Sequence, residues 1–396
     1  MTRLAVIGTK GIGRTHVEAI KSLDGCELVA VCDVNANEAR ACGEQHECPH
    51  YIDLDRMLRE EKPDGLCICA PHWFHAPIAL DAFAAGVHVL TEKPMAVTVE
   101  DAEMMIDAAG EAGCLLGVVF QHRMDPVNQK AREIVSSGRI GEIHRTMLTA
   151  AWFRPEAYYR SDAWRGTWRG EGGGVLLNQA PHTIDLFLWI SGMMPEIIDA
   201  KAETFMHKIE VEDRASALLR YPNGATGYIH ASTAEFPTLH RLEFAGDRGR
   251  LVLDNEIDGG IDLTVIDGSA REFCRKAPEP SSAPIASRVD TGVGAGTGRK
   301  AGEFEPVGGH DLMIADFAAA IREGREPAVP GEEGLKSLEI ANAITLSSQQ
   351  RAKVAMPIPR RAYSELVELL AGRPTKRRKR RSTTKKGRRE RWKSPR

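Results

Sequence analysis

The sequence predicts an α/β protein with two unlike halves: a doubly wound parallel sheet, then an α/β domain with a mainly antiparallel open sheet. Three observations predict this. Through residue 125, short apolar runs alternate with stretches of helical period, as in strands joined by crossover helices. A glycine-rich turn, Gly8 to Gly13, separates the first apolar run from the first helix. After Pro126 the rhythm changes to strand-length runs separated by turn signals. The expected units are therefore 1–125, 126–360 and a basic tail over 371–396.

In the first half the strand candidates are Leu4–Ile7, Glu27–Cys32, Gly65–Cys69, His88–Leu90 and Leu115–Phe120. Helix-period segments His16–Leu23, Ala76–Ala85 and Val99–Ala112 lie between them. The strands lack polar alternation, which fits a sheet covered on both faces. Gly86 stands where a helix C-terminal glycine belongs. In the second half strands are expected at Ile143–Phe153, Ile197–Phe205, Ala215–Tyr221, Ala225–Ser232, Arg241–Ala245 and Arg250–Leu253. Tyr221-Pro222-Asn223-Gly224-Ala225 reads as a hairpin turn. One helix, Gly174–Ile190, interrupts the strands, and the Pro-, Ser- and Gly-rich stretch 276–309 reads as a long loop. Helices Asp311–Glu323, stopped by Gly324, and Glu332–Ser348 follow.

A chain of 396 residues, 42% hydrophobic, can fill two cores. It has no run of 18 or more apolar residues, which excludes a membrane-spanning helix. The opening Met1-Thr2-Arg3 runs straight into Leu4–Gly8, unlike a secretory leader, so the expected location is the cytoplasm. Eight cysteines in a chain this long are no disulfide framework. Cys42, His46, Cys48 and His50 match no common zinc spacing, and a solvated helix-to-strand turn accounts for them, so no metal is expected. The net charge of −3 averages two unlike pieces. From Arg373 onward about fourteen Lys or Arg face the single acid Glu390, which leaves the body near −16. Such a body does not suit nucleic acid. The tail has no apolar periodicity and is expected to be disordered. A salt-sensitive contact with nucleic acid or anionic lipid competes there with a plain solvated extension, which we favour.

The turn Gly8-Thr9-Lys10-Gly11-Ile12-Gly13 has the form of a dinucleotide-binding fingerprint, and all of Gly8, Lys10, Gly11, Ile12 and Gly13 are cofactor-binding candidates. Gly8 and Gly13 fill the tight-turn and helix-packing positions. Lys10 stands where the fingerprint has its middle glycine, leaving two expectations open: a hindered approach of the diphosphate, or a lysine lying along it. The helix N-terminus offers N–H groups and a positive dipole end to that anion. Asp33 closes the second strand twenty residues after Gly13. An acid there accepts ribose hydroxyls of NAD and repels the 2′-phosphate of NADP, so NAD is expected over NADP.

Three segments together resemble one family. Gly8…Gly13-x-x-His16 with Asp33, then His88-Val89-Leu90-Thr91-Glu92-Lys93-Pro94, then Gly172-Gly173-Gly174…Asn178-Gln179-Ala180-Pro181-His182…Asp185 are similar to motifs of the glucose–fructose oxidoreductase and inositol dehydrogenase (Gfo/Idh/MocA) family. His310-Asp311…Gly324-Arg325-x-Pro327 also fits, and the likeness spans residues 3 to 360. The resemblance implies a Rossmann domain and a second α/β domain whose open sheet mediates homodimers or homotetramers. It also implies hydride transfer between nicotinamide and a secondary hydroxyl carbon of a sugar, glycoside or cyclitol.

By that resemblance Lys93 is the catalytic lysine, which also binds the substrate, and Glu92 and Lys93 are both placed at the cofactor as well. His182 is the expected general acid/base, an imidazole near its unperturbed pKa. Asn178 stands where many family dehydrogenases carry Asp. On one helix it would project from the same face as His182, and Asp185 would orient the ring. An aromatic and arginine-rich segment (Trp152, Phe153, Arg154, Tyr158, Tyr159, Trp164, Arg165, Trp168, Arg169) suits a sugar ring, and Tyr159, Trp164 and Arg165 are the substrate candidates taken from it. Arg165 suits hydroxyls, a carboxylate or a phosphate. Pro71, His72, His75 and Gln121 follow strands and are placed at the cofactor; Arg123 and His310 are placed at the substrate. Two other functions compete: a glycosidase that retains NAD and works by redox elimination, and a non-enzymatic sugar- or NAD-sensing regulator.

Overall fold

The computed structural model describes residues 1–254, 260–293 and 309–372. The basic tail therefore lies outside the described residues, apart from Ala371 and Gly372.

The first half runs β1 (Thr2–Ile7), α1 (Ile12–Ser22), β2 (Cys26–Cys32), α2 (Ala36–His46), β3 (His50–Tyr51) and α3 (Leu54–Glu61). It continues through β4 (Gly65–Ile68), α4 (His75–Ala84), β5 (His88–Thr91), α5 (Val99–Ala112), β6 (Leu116–Val118) and α6 (Pro126–Ser136). The strands pair in parallel in the order β3-β2-β1-β4-β5-β6. Leu4, Ala5, Val6, Leu66, Cys67, Ile68, Val89 and Leu90 are fully buried, as a sheet covered on both faces requires. Side-chain caps start several helices: Asn35 accepts from Asn37 N–H, Asp53 from Arg56 N–H, and Thr98 from Asp101 N–H. Helix α3 was not expected from periodicity, while α2 and the two-residue β3 flank the helix-to-strand turn read over Cys42–His50. Strand order reverses direction at β1/β4, and ligands of such sheets bind outside the carboxyl ends there.

The second half runs β7 (Ile143–Ala151), α7 (Glu156–Arg160), α8 (Val175–Asn178), α9 (Pro181–Ser191), β8 (Ile197–Glu203), β9 (Arg214–Arg220) and β10 (Thr226–Ser232). Then come β11 (Leu239–Gly246), β12 (Gly249–Asp254), β13 (Ile261–Ile266), α10 (Ala270–Lys276) and β14 (Ala286–Val289). The last elements are α11 (His310–Glu323), α12 (Gly331–Gln350), β15 (Val354–Ala355) and α13 (Ala362–Leu370). Among the described residues the strands form one sheet, β14-β13-β12-β11-β7-β10-β9-β8-β15, antiparallel except for the β7–β10 pair. Gly224, at φ 83°, closes the expected β9–β10 turn.

Two expectations are corrected. The stretch 276–309 is not all loop, because β14 extends the sheet edge beside β13. The helix expected over Gly174–Ile190 is two helices, α8 and α9, parted at Gln179–Ala180. Pro181 has no N–H to continue α8 and favours the first turn of a new helix.

The C-terminal helices tie the halves together. Helix α11 returns to the parallel sheet and packs on α1 and β1, with Thr2 donating its hydroxyl to the Ala318 carbonyl. Helix α12 packs against β8, α9 and α5. Its fully buried Asn342 accepts from Val99 N–H and donates to the Val97 carbonyl, which fixes the chain just after Lys93–Pro94. Among the described residues no helix is long and apolar enough to cross a membrane.

Candidate active site

A cleft of 2320 Å³ opens at the carboxyl ends of the parallel strands and is closed on the far side by the segment 152–182. At one end it begins with the glycine turn. Gly8 has φ +88°, and a Cβ there would sit 2.6 Å from the Cys69 carbonyl oxygen at the end of β4. A Cβ on Gly13 would sit 1.8 Å from the Gly8 carbonyl oxygen, so α1 can start against the turn only without one. Gly11, at φ +51°, has open space where its Cβ would point. It is also the N-cap of α1 and carries no capping side chain; Gly13 N–H and Arg14 N–H turn back to the Lys10 and Gly11 carbonyls, and the positive end of the helix dipole adjoins the cleft. These features fit a dinucleotide diphosphate.

Asp33 stands beside this turn. Its Oδ2 accepts from Thr9 N–H and from the Thr9 hydroxyl, and its Oδ1 accepts from Asn35 N–H. The carboxylate is thus fixed in the cleft wall with lone pairs to spare. Lys10 lines the cleft, and its ammonium lies 3.2 Å from Glu38, which Arg14 also approaches at 3.8 Å.

At the other end, β5 delivers Glu92 and Lys93, and the Lys93–Pro94 bond is cis. Glu92 is buried, accepts from His16 Nε2 at 2.8 Å, and has His310 Nε2 at 3.5 Å. Burial pushes the Glu92 carboxyl up, but the hydrogen bonds from His16 and His310 outweigh it and hold the carboxyl well below the usual range. His16 is fully buried and its Nδ1 has no partner, so its proton belongs on Nε2. His16 carried part of the glycine motif yet was not among the candidates. Among the described residues His16, Glu92 and His310 are the ligand-type side chains whose atoms converge, within 4.8 Å. Both imidazoles face one carboxylate oxygen, which makes this a hydrogen-bonded latch between α1, β5 and α11.

Lys93 donates its backbone N–H to Glu92 and its ammonium to the Asn178 carbonyl at 2.8 Å. Burial pulls its pKa down, Glu92 opposes, and Arg165 and Arg154 add to the lowering. Lys93, Asn178 and His182 all line the cleft although α8 and α9 are separate helices. His182 stacks face to face on His122 with centroids 4.5 Å apart, and Phe120 meets it edge-on. Its ring does not keep an ordinary pKa: burial, His122 and Lys93 push it well below, so it is neutral at pH 7.

Three substrate candidates are corrected. Asp185 does not orient His182, because its carboxylate is held by Arg123 at 2.8 and 2.6 Å in a buried pair with Glu333 nearby. Arg123 is spent on that pair, and neither residue lines the cleft. Tyr159 is core, its hydroxyl bonded to Thr233 at 2.7 Å, and its neighbour Tyr158 faces the cleft instead. Trp164 and Arg165 do line it, as do Pro71, His72, His75, Gln121 and His310. His75 is locked between the carbonyls of Ala70 and Pro94, and His72 Nδ1 meets the Glu171 carbonyl. Gln121 Oε1 is buried without a partner.

Sequence reading missed Glu171, Tyr158, Gln179 and His122. Glu171 is fully buried; it accepts from the Asn178 amide and from Gly166 N–H, and burial raises its pKa to about 7. The Tyr158 hydroxyl accepts from Arg165 and from Gln179. Glu212 accepts from Gly174 and Leu176 N–H, capping α8, and a Cβ on Gly174 would lie 1.8 Å from the Glu212 carbonyl oxygen. That close approach explains a glycine before α8.

Residues 2–120 match the model of an oxidoreductase family with an NAD-binding Rossmann fold, and residues 128–252 match the GFO/IDH/MocA C-terminal domain. The chain is 30% identical to D-glucoside 3-dehydrogenase of Escherichia coli over 275 residues, covering 63% of this chain and 76% of the relative. It is 28% identical to myo-inositol 2-dehydrogenase of Thermotoga maritima, covering 66% and 78%. The crystal structure of the WlbA dehydrogenase from Bordetella pertussis with NADH and UDP-GlcNAcA superposes with a TM-score of 0.74 at 28% identity, covering 90% of this chain and 99% of that one. The glycine cradle, the Glu92-Lys93-Pro94 turn and the helix bearing His182 thus have one common account: this chain belongs to the GFO/IDH/MocA family of oxidoreductases, with an NAD-binding Rossmann first half.

Proposed function

We propose that this protein interconverts a secondary alcohol and a ketone on a sugar, glycoside or cyclitol, with NAD preferred over NADP. The observation that carries the reading is the convergence of Lys93, Asn178 and His182 at one end of a cleft whose other end is the glycine turn and Asp33. Relatives named for glucoside and inositol oxidation support that substrate class. Gly8, Gly11 and Gly13 would hold the dinucleotide diphosphate and Asp33 the adenosine ribose, with NADP disfavoured by the two carboxylates Asp33 and Glu38. When bound, the nicotinamide supplies the acceptor or donor of hydride.

The chain's own residues handle the proton and the oxygen. Lys93 directs its ammonium to the reacting hydroxyl and stabilises the alkoxide charge as the C–H bond breaks. Neutral His182 receives the hydroxyl proton, and returns it in reduction. The Asn178 amide donates its N–H to Glu171, which leaves its Oδ1 to accept from a neighbouring substrate hydroxyl. His72 and Trp164 wall the same end. No observation favours redox elimination or sensing over this reading.

We further propose a homodimer or homotetramer, assembled through the open face of the nine-stranded sheet, and a cytoplasmic location. Leu218 and Tyr228 are directly paired across β9 and β10 and stand 62% and 37% exposed on that face. The first test is NADH absorbance with purified protein, NAD and a panel of cyclitols, sugars, glycosides and sugar acids. A rate with one class supports the reading; NAD binding without turnover of any class overturns it.

A further inference from the structure

The catalytic groups leave one part of the cleft unexplained. Arg154 follows β7 and Arg165 follows α7, and both guanidinium groups lie against the same Tyr158 ring, at 4.9 and 4.4 Å from its centroid. Trp152 backs Arg154 at 4.7 Å and Trp164 backs Arg165 at 4.6 Å. All five residues line the cleft at the Lys93 end, and both arginines act on the Lys93 ammonium. Three cations therefore share one partly desolvated space.

Lys93 has Glu92 beside it, but the two arginines have no buried countercharge. Among the described residues Arg154 has no carboxylate within ion-pair distance, and its Nε is buried with no hydrogen-bond partner. Arg165 has only Asp162, at 3.4 Å and half exposed. Glu171 is no counterion: its two oxygens are bonded to Asn178 and Gly166, and burial favours its neutral form up to about pH 7. Cations withdrawn from water without an anion are unfavourable. Guanidinium planes stacked on aromatic rings are preorganised for two-pronged binding of a carboxylate or phosphate. The cofactor's diphosphate is a second anion in this cleft, but the glycine turn and the uncapped start of α1 already provide for it.

Resting on the dehydrogenase reading, we infer that the substrate carries a carboxylate or phosphate group and that Arg154 and Arg165, stacked on Tyr158, form the subsite that holds it. A neutral polyol fills the Lys93–His182 end but leaves these arginines uncompensated.

The test uses Trp152 and Trp164 as reporters. Tryptophan fluorescence of the NAD-saturated protein is titrated with D-glucuronate, its methyl ester, D-glucose and D-glucose 6-phosphate, while NADH formation is read in the same samples. The acid or the phosphate should bind at least ~10-fold tighter than the ester and glucose, and whichever does so names the anion. Arg154→Met should abolish that difference with NAD affinity unchanged, and Arg154→Lys should restore part of it. Arg165→Met gives an independent second variant should Arg154→Met fail to fold. Equal affinity for acid, phosphate and neutral ligands, no saturable binding of either anion, or loss of NAD binding in these variants would each overturn the subsite. An anion preference without NADH formation keeps the subsite and counts against the dehydrogenase reading. Turnover of a neutral sugar with no anion preference does the reverse.

Discussion

The cofactor end of the cleft is made of backbone, whereas the reacting end is made of side chains drawn from two distant segments, the end of β5 and the stretch 171–182. At the first, the absence of a Cβ on Gly8 and Gly13 and the bare N-terminus of α1 create the site, all within six residues of sequence. At the second, Lys93 from β5, Asn178 from α8, His182 from α9 and Glu171 from the preceding turn meet across about ninety residues. A local backbone device tolerates little change at few positions. A convergent one depends on buried partners that each adjust the others, so its failures should be chemical rather than structural.

The largest effect expected from this contrast is catalytic. Lys93→Ala and His182→Ala should each lower turnover by ~100-fold or more, the usual scale for a proton-handling group, while NAD titration stays that of the wild type. Folded variants with wild-type rates would remove both residues from the chemistry. A loss of NAD affinity equal to the loss of rate would show that the two ends are not separable.

Next comes a pH effect confined to the convergent end. Glu171 and Glu212 are buried carboxyls raised to about 7 by burial, against 4.5 in the unfolded chain. Between those values the folded state holds more protons than the unfolded one, so their contribution to stability is full below pH 4.5 and falls as pH rises through 7. The melting temperature of Glu171→Gln with Glu212→Gln should therefore fall less than the wild type's from pH 5 to pH 8. Parallel curves would show that these carboxyls ionise normally. Glu171→Gln alone should also raise KM more than it lowers kcat, because glutamine no longer compels the Asn178 amide to face it with its N–H.

The same contrast explains what the sequence disclosed. The parallel sheet, Gly8, Gly13, Asp33 and Lys93 were legible because each is set by neighbours in the chain: strand, turn, strand end. Lys10 was left between two expectations because its ion pair with Glu38 reaches from the turn to α2, a partner that the spacing within Gly8–Gly13 does not disclose. Asp185 was misjudged because helical spacing puts it near His182 but says nothing of Arg123, 62 residues away, which claims it. Tyr158 and Tyr159 could not be told apart, since an aromatic pair carries no sign of which ring faces Thr233 and which faces the cleft. Glu171 was missed for the same reason: its partners lie across a turn with no periodicity to fix its direction. The Pro181 break was readable in principle, because proline removes the N–H on which a single continuous helix would depend.

A smaller effect is expected at the far end. Asp33→Ala should reduce the NAD over NADP preference about 10-fold, by removing a ribose acceptor and the charge that repels a 2′-phosphate. The change should stay modest because Glu38 keeps a carboxylate beside the turn, although Lys10 and Arg14 partly neutralise it. Unchanged discrimination would assign Asp33 to the Thr9 turn alone.

The smallest effect should come from removing the basic tail, and the place of the cut sharpens the comparison. Helix α13 ends at Leu370, and its Tyr363 is fully buried with the hydroxyl donating to the Gly172 carbonyl. That bond supports the glycine turn that leads into α8, so α13 belongs to the convergent end of the cleft. A chain ending at Gly372 keeps the anchor, and its melting temperature and turnover should equal those of the full chain. A chain ending at Arg361 loses Tyr363 and Val367 from the core, at a cost of several kcal/mol, and should lose turnover along with stability. Tyr363→Phe isolates the hydrogen bond, worth about 1 kcal/mol, and should leave NAD affinity alone while raising the KM of the substrate. If the cut at Gly372 were as damaging as the cut at Arg361, the segment beyond Gly372 would itself be part of the folded site.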